Sequence, residues 1–119
     1  MTRIKTGTTR RNRHKKVLKL TAGHKGSRHR LFKQANESML HALSYSYAHR
    51  KEKKGDLRRL WNIRINAAAR ENGISYSKLI HGLKVAGIKL DRKILSEIAA
   101  SDPQTFSGIV EKAKLSLQN

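Results

Sequence analysis

Arg59, Asn62, Asn66 and Arg70 recur at spacings of 3, 4 and 4 within "RRLWNIRINAAARENG", residues 58–73. On a helix that spacing sets them along one side. Two guanidinium forks and two carboxamides in a row suit phosphate oxygens and ribose hydroxyls; they are not the parts of a bond-breaking site. A solvated helix face would look the same on a helical wheel, so the stripe gains meaning only from its surroundings. Those surroundings are cationic. The 119 residues hold 27 Lys and Arg against 8 Asp and Glu, a formal net charge of +19 with an isoelectric point near 11.1. Such an excess repels itself in an isolated molecule and reads as the footprint of a polyanion.

Other chemistries find little support. "GHKG", residues 23–26, has the GxxG of a KH loop, and the same glycines beside Lys25 and Ser27 faintly suggest a phosphate loop. The first needs strands that the pattern lacks, and the second needs a different spacing after a strand. Five of the six histidines fall in the first half, yet His24 and His29 have no carboxylate or thiolate at ligand spacing. No metal and no cofactor is therefore expected. The eight acids are scattered singly, no nucleophile sits beside a base and there is no cysteine, so an enzyme with a small-molecule substrate is not expected. Aromatic residues make up 5% of the chain, which argues against a stacking platform for single strands. No apolar run reaches the ~18 residues of a membrane helix, and no apolar segment follows the basic start as in a secretory signal. The absence of cysteine fits an intracellular location.

The charge is uneven along the chain. Residues 1–60 carry 18 Lys and Arg against three acids, Glu37, Glu52 and Asp56, whereas residues 61–119 carry 9 against 5. Residues 1–30 hold few large apolar side chains besides Met1, namely Ile4, Val17, Leu18 and Leu20, too few to offset the entropy of ordering the segment. The arm is expected to be disordered when free. Within it "TRRNRHKKVLKL", residues 9–20, is helix-compatible but opposed by like-charge pairs such as Arg11 with Lys15, so folding on binding is expected. "AGHKGS", residues 22–27, reads as a hinge.

From about Ser27 to Lys54, Leu31, Ala35, Met39, Ala42 and Leu43 recur at helical spacing. Gly55 weakens the helix and Asp56 could cap a new start, so a kink or one continuous helix are both compatible with the pattern. The next helix runs to Asn72 and stops at Gly73. Its apolar side gathers Leu57, Leu60, Trp61, Ala67 and Ala68, with Trp61 read as a core residue and Arg64 as a partner for Glu71. Three short helices follow, capped by Ser75, by Asp91 and by Asp102 ahead of Pro103. The expected fold is all-α. A long basic N-terminal helical extension, residues 1–56, precedes a small globular helical C-terminal domain, residues 57–119.

Composition alone leaves three partners open: structured RNA, duplex DNA bound in the manner of a nucleoid protein, and an anionic membrane surface. Particular segments narrow the choice. "RHKKVLKL" (13–20), "LWNIRINAAARENGISYSKLIHGLK" (60–84) and "LDRKILSEIA" (90–99) resemble the bacterial-type large-subunit ribosomal protein L20 family, in register from end to end. The resemblance implies an all-α protein whose basic extension enters large-subunit ribosomal RNA. Its globular part would sit nearer the surface, against RNA and neighbouring large-subunit ribosomal proteins. It further implies direct RNA binding, a part in early subunit assembly, no part in peptide-bond chemistry, and a place in a bacterial cytoplasmic or a plastid ribosome. Some bacterial members also repress translation of their own message.

By position, the resemblance puts RNA contacts of the arm on Arg3, Lys5, Arg10, Arg11, Arg13, His14, Lys15, Lys16 and Lys19. Lys25, Arg28 and Arg30 continue the set. In the later part they fall on Arg50, Arg58, Arg59, Arg64, Arg70, Asn72, Ser75 and Lys78. The chain departs from the family where His24 replaces a frequent aromatic residue. It departs again where Glu52, Gly55 and Asp56 dilute a basic run.

Overall fold

A computed structural model describes residues 5–118, which leaves the expected contact Arg3 outside the described residues. Five α-helices follow one another: α1 (Gly7–Leu20), α2 (Phe32–Glu71), α3 (Tyr76–Val85), α4 (Arg92–Ser101) and α5 (Pro103–Gln118). A short 3-10 turn, Gly26–His29, lies between α1 and α2, and there is no strand among the described residues. The fold is all-α, as the periodicity and the resemblance both implied. The chain divides into two compact units, Met1–Lys51 and Glu52–Asn119, and α2 contributes to both.

In the N-terminal unit three residues are buried: Val17, Thr21 and Ala35. The segment expected to be disordered is a helix in this structure, because a few specific contacts close it where bulk apolar area is lacking. The His14 and Phe32 rings stack with centroids 3.8 Å apart and planes 10° from parallel. The buried Thr21 hydroxyl lies 3.3 Å from the carbonyls of Val17 and Leu18, satisfying the end of α1. The turn that follows is held by its own bonds, with His24 N–H donating to Thr21 O at 3.1 Å. Nothing acidic balances the N-terminal turn of α1, so its cations face the positive end of the helix dipole.

Gly55 does not interrupt α2, which is continuous over 40 residues. A lone glycine costs about 1 kcal/mol against alanine, and the Lys, Glu, Leu and Arg residues on either side are good helix formers. Asp56 therefore caps nothing; its Oδ1 lies 3.3 Å from Arg59 Nη1, one turn on. The helix stops at Gly73, whose φ of +73° an L side chain resists. Gly73 N–H donates to Arg70 O and Ile74 N–H to Ala69 O, which satisfies two carbonyls of the last turn. Lys114 Nζ takes a further one, Asn72 O, at 2.6 Å.

The core of the C-terminal unit gathers around Phe106 and takes Ile65 and Ala69 from α2, Leu79 and Leu83 from α3, Leu95 from α4 and Val110 from α5. Helix α5 packs chiefly against α3, and Gly82 sits at their crossing. A Cβ there would lie 2.6 Å from Ala113 O, so only glycine permits the approach. The Ser116 hydroxyl, 2.8 Å from Gly82 O, tightens the same contact.

This core corrects the expected packing side of α2. Ile65 and Ala69 are fully buried and Ala68 packs against them, whereas Leu57, Leu60 and Ala67 are exposed. Trp61 is half-buried beside Arg64 and α4 and does not belong to the central cluster. The helix carries two apolar sides, and polar groups mark the one that packs: the Tyr76 hydroxyl donates to Asn62 Oδ1 at 2.9 Å, and Asn72 Nδ2 donates to Ala68 O at 2.8 Å. The expected Arg64–Glu71 pair is not formed; Arg59–Asp56 is the ion pair found among the described residues.

Helix starts follow the expected residues with one difference. Ser75 and Asp91 occupy N-cap positions with extended backbone, but their side chains make no capping bond. Asp102 does cap: Thr105 N–H donates to its Oδ1 at 3.1 Å, and the Thr105 hydroxyl donates to Oδ2. Those bonds favour the ionised form and hold the Asp102 carboxyl below its ordinary value of 3.8.

Candidate nucleic-acid interface

The N-terminal unit displays its charge on every side that does not pack. Arg11, Lys15 and Lys19, one turn apart along α1, lie away from buried Val17, and Arg10, Arg13 and Lys16 are exposed beside them. His14 is different: half-buried, with one ring face against Phe32, it works first as a packing residue. Lys5, Lys25, Arg28 and Arg30 are exposed, and Lys25 and Arg28 share the lip of an open cleft against α2. Arg50 is exposed one turn beyond Ser46, to whose hydroxyl its Nη1 donates. Glu37 is the sole acid in residues 1–51, against 14 Lys and Arg.

In the C-terminal unit the candidate residues separate. Arg59 and Arg70 share one flank of α2, Arg64 lies on another beside Trp61 and Glu97, and Arg58 belongs to neither. The expected stripe of Arg59, Asn62, Asn66 and Arg70 is therefore not a single open surface. Asn62 and Asn66 are half-buried and Asn62 is engaged by Tyr76. Asn72 is committed to closing α2, Ser75 is exposed with its hydroxyl unused in capping, and Lys78 is exposed at a shallow hollow with Lys114. No helix of the described residues is long and apolar enough to cross a membrane, and no group of three potential ligands that could hold a metal occurs among them.

A protein that leaves cations uncompensated over a helical surface has a polyanion as its natural counterpart. Comparison with known proteins is specific about the family. The model of the family described as "Ribosomal protein L20" matches residues 3–109. The chain belongs to the ribosomal protein L20 family. A protein named large ribosomal subunit protein bL20 from Dehalococcoides mccartyi is 56% identical over 119 residues, all of both chains. One of the same name from Natranaerobius thermophilus is 52% identical over 117 residues, 98% of this chain and 100% of its own. A third, from Moorella thermoacetica, is 51% identical over 114 residues, 96% and 94% of the two chains.

The resemblance to the L20 family carried a residue set that misses part of the charged surface. Lys51, Lys53 and Lys54 extend the exposed cations of α2, and Lys51 Nζ lies 4.4 Å from the centre of the Tyr47 ring. His41, Tyr45 and His49 form a column of near-parallel rings, with centroids 6.2 and 5.9 Å apart. Their one-turn spacing is legible in "HALSYSYAH" (41–49), but the low aromatic content directed attention away from it.

Proposed function

We propose that the chain is a structural constituent of the large ribosomal subunit of a bacterial cytoplasmic ribosome. In this reading it binds large-subunit ribosomal RNA directly and promotes early subunit assembly. The supporting observation is the end-to-end match to bacterial proteins of that subunit, together with a first unit holding 14 cations and one acid. RNA helices repel one another, and a cationic arm between them offsets that repulsion where it lies. Phosphates in turn remove the like-charge strain of Arg11 and Lys15 on α1 and the mismatch at its N-terminal turn. Residues 1–56 act as the extension inserted into RNA, and residues 57–119 as the domain that anchors it.

The role is architectural and not catalytic, since the cations hold phosphate and leave its bonds intact. Neighbouring ribosomal proteins have a plausible seat on the second apolar side of α2. There Leu60 and Ile63 are 40% and 65% exposed, with Ala67 one turn further. The test is competition between a large-subunit ribosomal RNA transcript and duplex DNA of equal length at matched salt. Preference for the transcript, with the protein sedimenting in the large-subunit peak, is the expected result. Equal affinity for the two would point instead to a nucleoid-type protein, and absence from that peak would end the structural reading.

A further inference from the structure

Within the N-terminal unit, the turn at Lys25–Arg28 and one side of α2 enclose a cleft of about 850 Å³. Its helical wall is a single stripe, Gln34, Glu37, Ser38, His41 and Tyr45, each one turn from the next. Turn and wall are tied together. The Ser27 hydroxyl donates to Gln34 Oε1, and His24 Nδ1 lies 2.7 Å from Ser38 Oγ. Below the turn, His29 Nδ1 is 2.9 Å from His24 O. The cleft is thus shaped by hydrogen bonds of the protein itself.

Glu37 runs against the electrostatics of its surroundings. It is exposed, and it forms no ion pair among the described residues although Lys25 and Arg28 line the same cleft. A carboxylate there repels the phosphates that its neighbours attract, so a purely electrostatic grip would be stronger without it. What a carboxylate can recognise in RNA is a pair of adjacent donors. Guanine alone among the four bases presents two side by side, N1–H and the N2 amino group, on its Watson–Crick edge. Single-stranded bases are read on that edge while stacked on aromatic rings. Tyr45 supplies a ring at the cleft, exposed and aligned between His41 and His49.

We propose that this cleft is a base-specific site for an unstacked guanosine in RNA. Glu37 accepts from N1–H and N2–H, the Tyr45 ring stacks on the base, and Lys25 and Arg28 hold the flanking phosphates. The proposal rests on the RNA-binding reading above and adds sequence selectivity to an otherwise electrostatic grip.

The test uses the full chain and end-labelled RNA tetranucleotides UUGU, UUAU, UUCU and UUUU at constant salt, followed by fluorescence anisotropy. UUGU should bind about tenfold tighter than the others, the size of a good two-bond base contact. Inosine in place of guanosine keeps N1–H and lacks the N2 amino group, so it should lose most of that gain. Glu37→Gln should bring the four within about twofold while UUUU binding holds or rises, because a repelling charge has gone. Equal binding of the four by the unaltered chain, equal binding of guanosine and inosine, or a uniform loss in the variant would each overturn the site. A large-subunit RNA transcript in the same titration separates the two readings. Failure to bind it counts against the RNA-binding function, whereas tight binding without base preference removes the guanosine site alone.

Discussion

The two units carry nearly the same number of cations and use them differently. Residues 1–51 hold 14 Lys and Arg with one acid, and residues 52–119 hold 13 with seven acids. Their interiors differ more sharply. The first unit buries Val17, Thr21 and Ala35, while the second assembles nine residues around Phe106. Cation number therefore does not distinguish an RNA-inserted region from an anchoring one. Missing counter-charge and a minimal interior do. A region whose helices are closed by a ring stack and one hydroxyl can adjust to the surface it enters, whereas a region with a packed centre keeps its shape.

The largest test of that contrast removes residues 1–30, which takes away 11 Lys and Arg and no acid and lowers the formal net charge from +19 to +8. If six or more phosphates are lost with them, affinity for the ribosomal RNA transcript should fall by roughly 10³-fold near physiological salt, with a shallower salt dependence. Circular dichroism should meanwhile show a retained cooperative melt for the C-terminal helices. Loss of that melt would mean the units are not independent.

A smaller effect comes from trimming one interior residue in each unit. Phe106→Ala should cost about 3–5 kcal/mol, comparable with the whole stability of a domain this small. Hydrogen exchange should then show protection lost throughout α3, α4 and α5. Val17→Ala should expose only α1 and leave the thermal midpoint of the second unit in place. If both variants shifted one common transition equally, the contrast between the interiors would have no energetic meaning.

How legible these features are in sequence follows the same division. Helix ends were readable where a local residue acts alone: Gly73 at a left-handed turn, and Asp102 with Pro103 at the start of α5. The cationic surface of the arm was readable because nothing competes with it. The packing side of α2 was not, since Leu60, Ile63 and Ala67 on one side weigh as much as Ile65, Ala68 and Ala69 on the other. Tertiary partners such as Tyr76, which draws Asn62 inward, decide between them. The closure of α1 was missed for a related reason: His14 was counted as a cation-like contact, and its stacking on Phe32 depends on a chain reversal that spacing does not reveal. The Glu37 cleft lay hidden likewise, because its two walls are separate in sequence.

The smallest expected effect concerns acid, and it belongs to the C-terminal unit because only there does a carboxylate close a helix. Thr105 donates to both oxygens of Asp102 and holds its pKa below the ordinary value of 3.8. A group whose folded pKa is depressed contributes stability that is present above the unfolded pKa and fades as pH falls through the folded one. Acidification from about pH 4 downward should therefore weaken the start of α5, as one small step within general acid unfolding. Asp102→Asn keeps a capping oxygen and removes the titration, so its stability curve should lose that step while matching the unaltered chain at pH 7 within about 0.5 kcal/mol. Asp102→Ala should be less stable at pH 7 and equally flat in acid. Parallel acid limbs for the unaltered chain and Asp102→Asn would show that the cap bond is carried by the neutral carboxyl, and the electrostatic account of this helix start would fail.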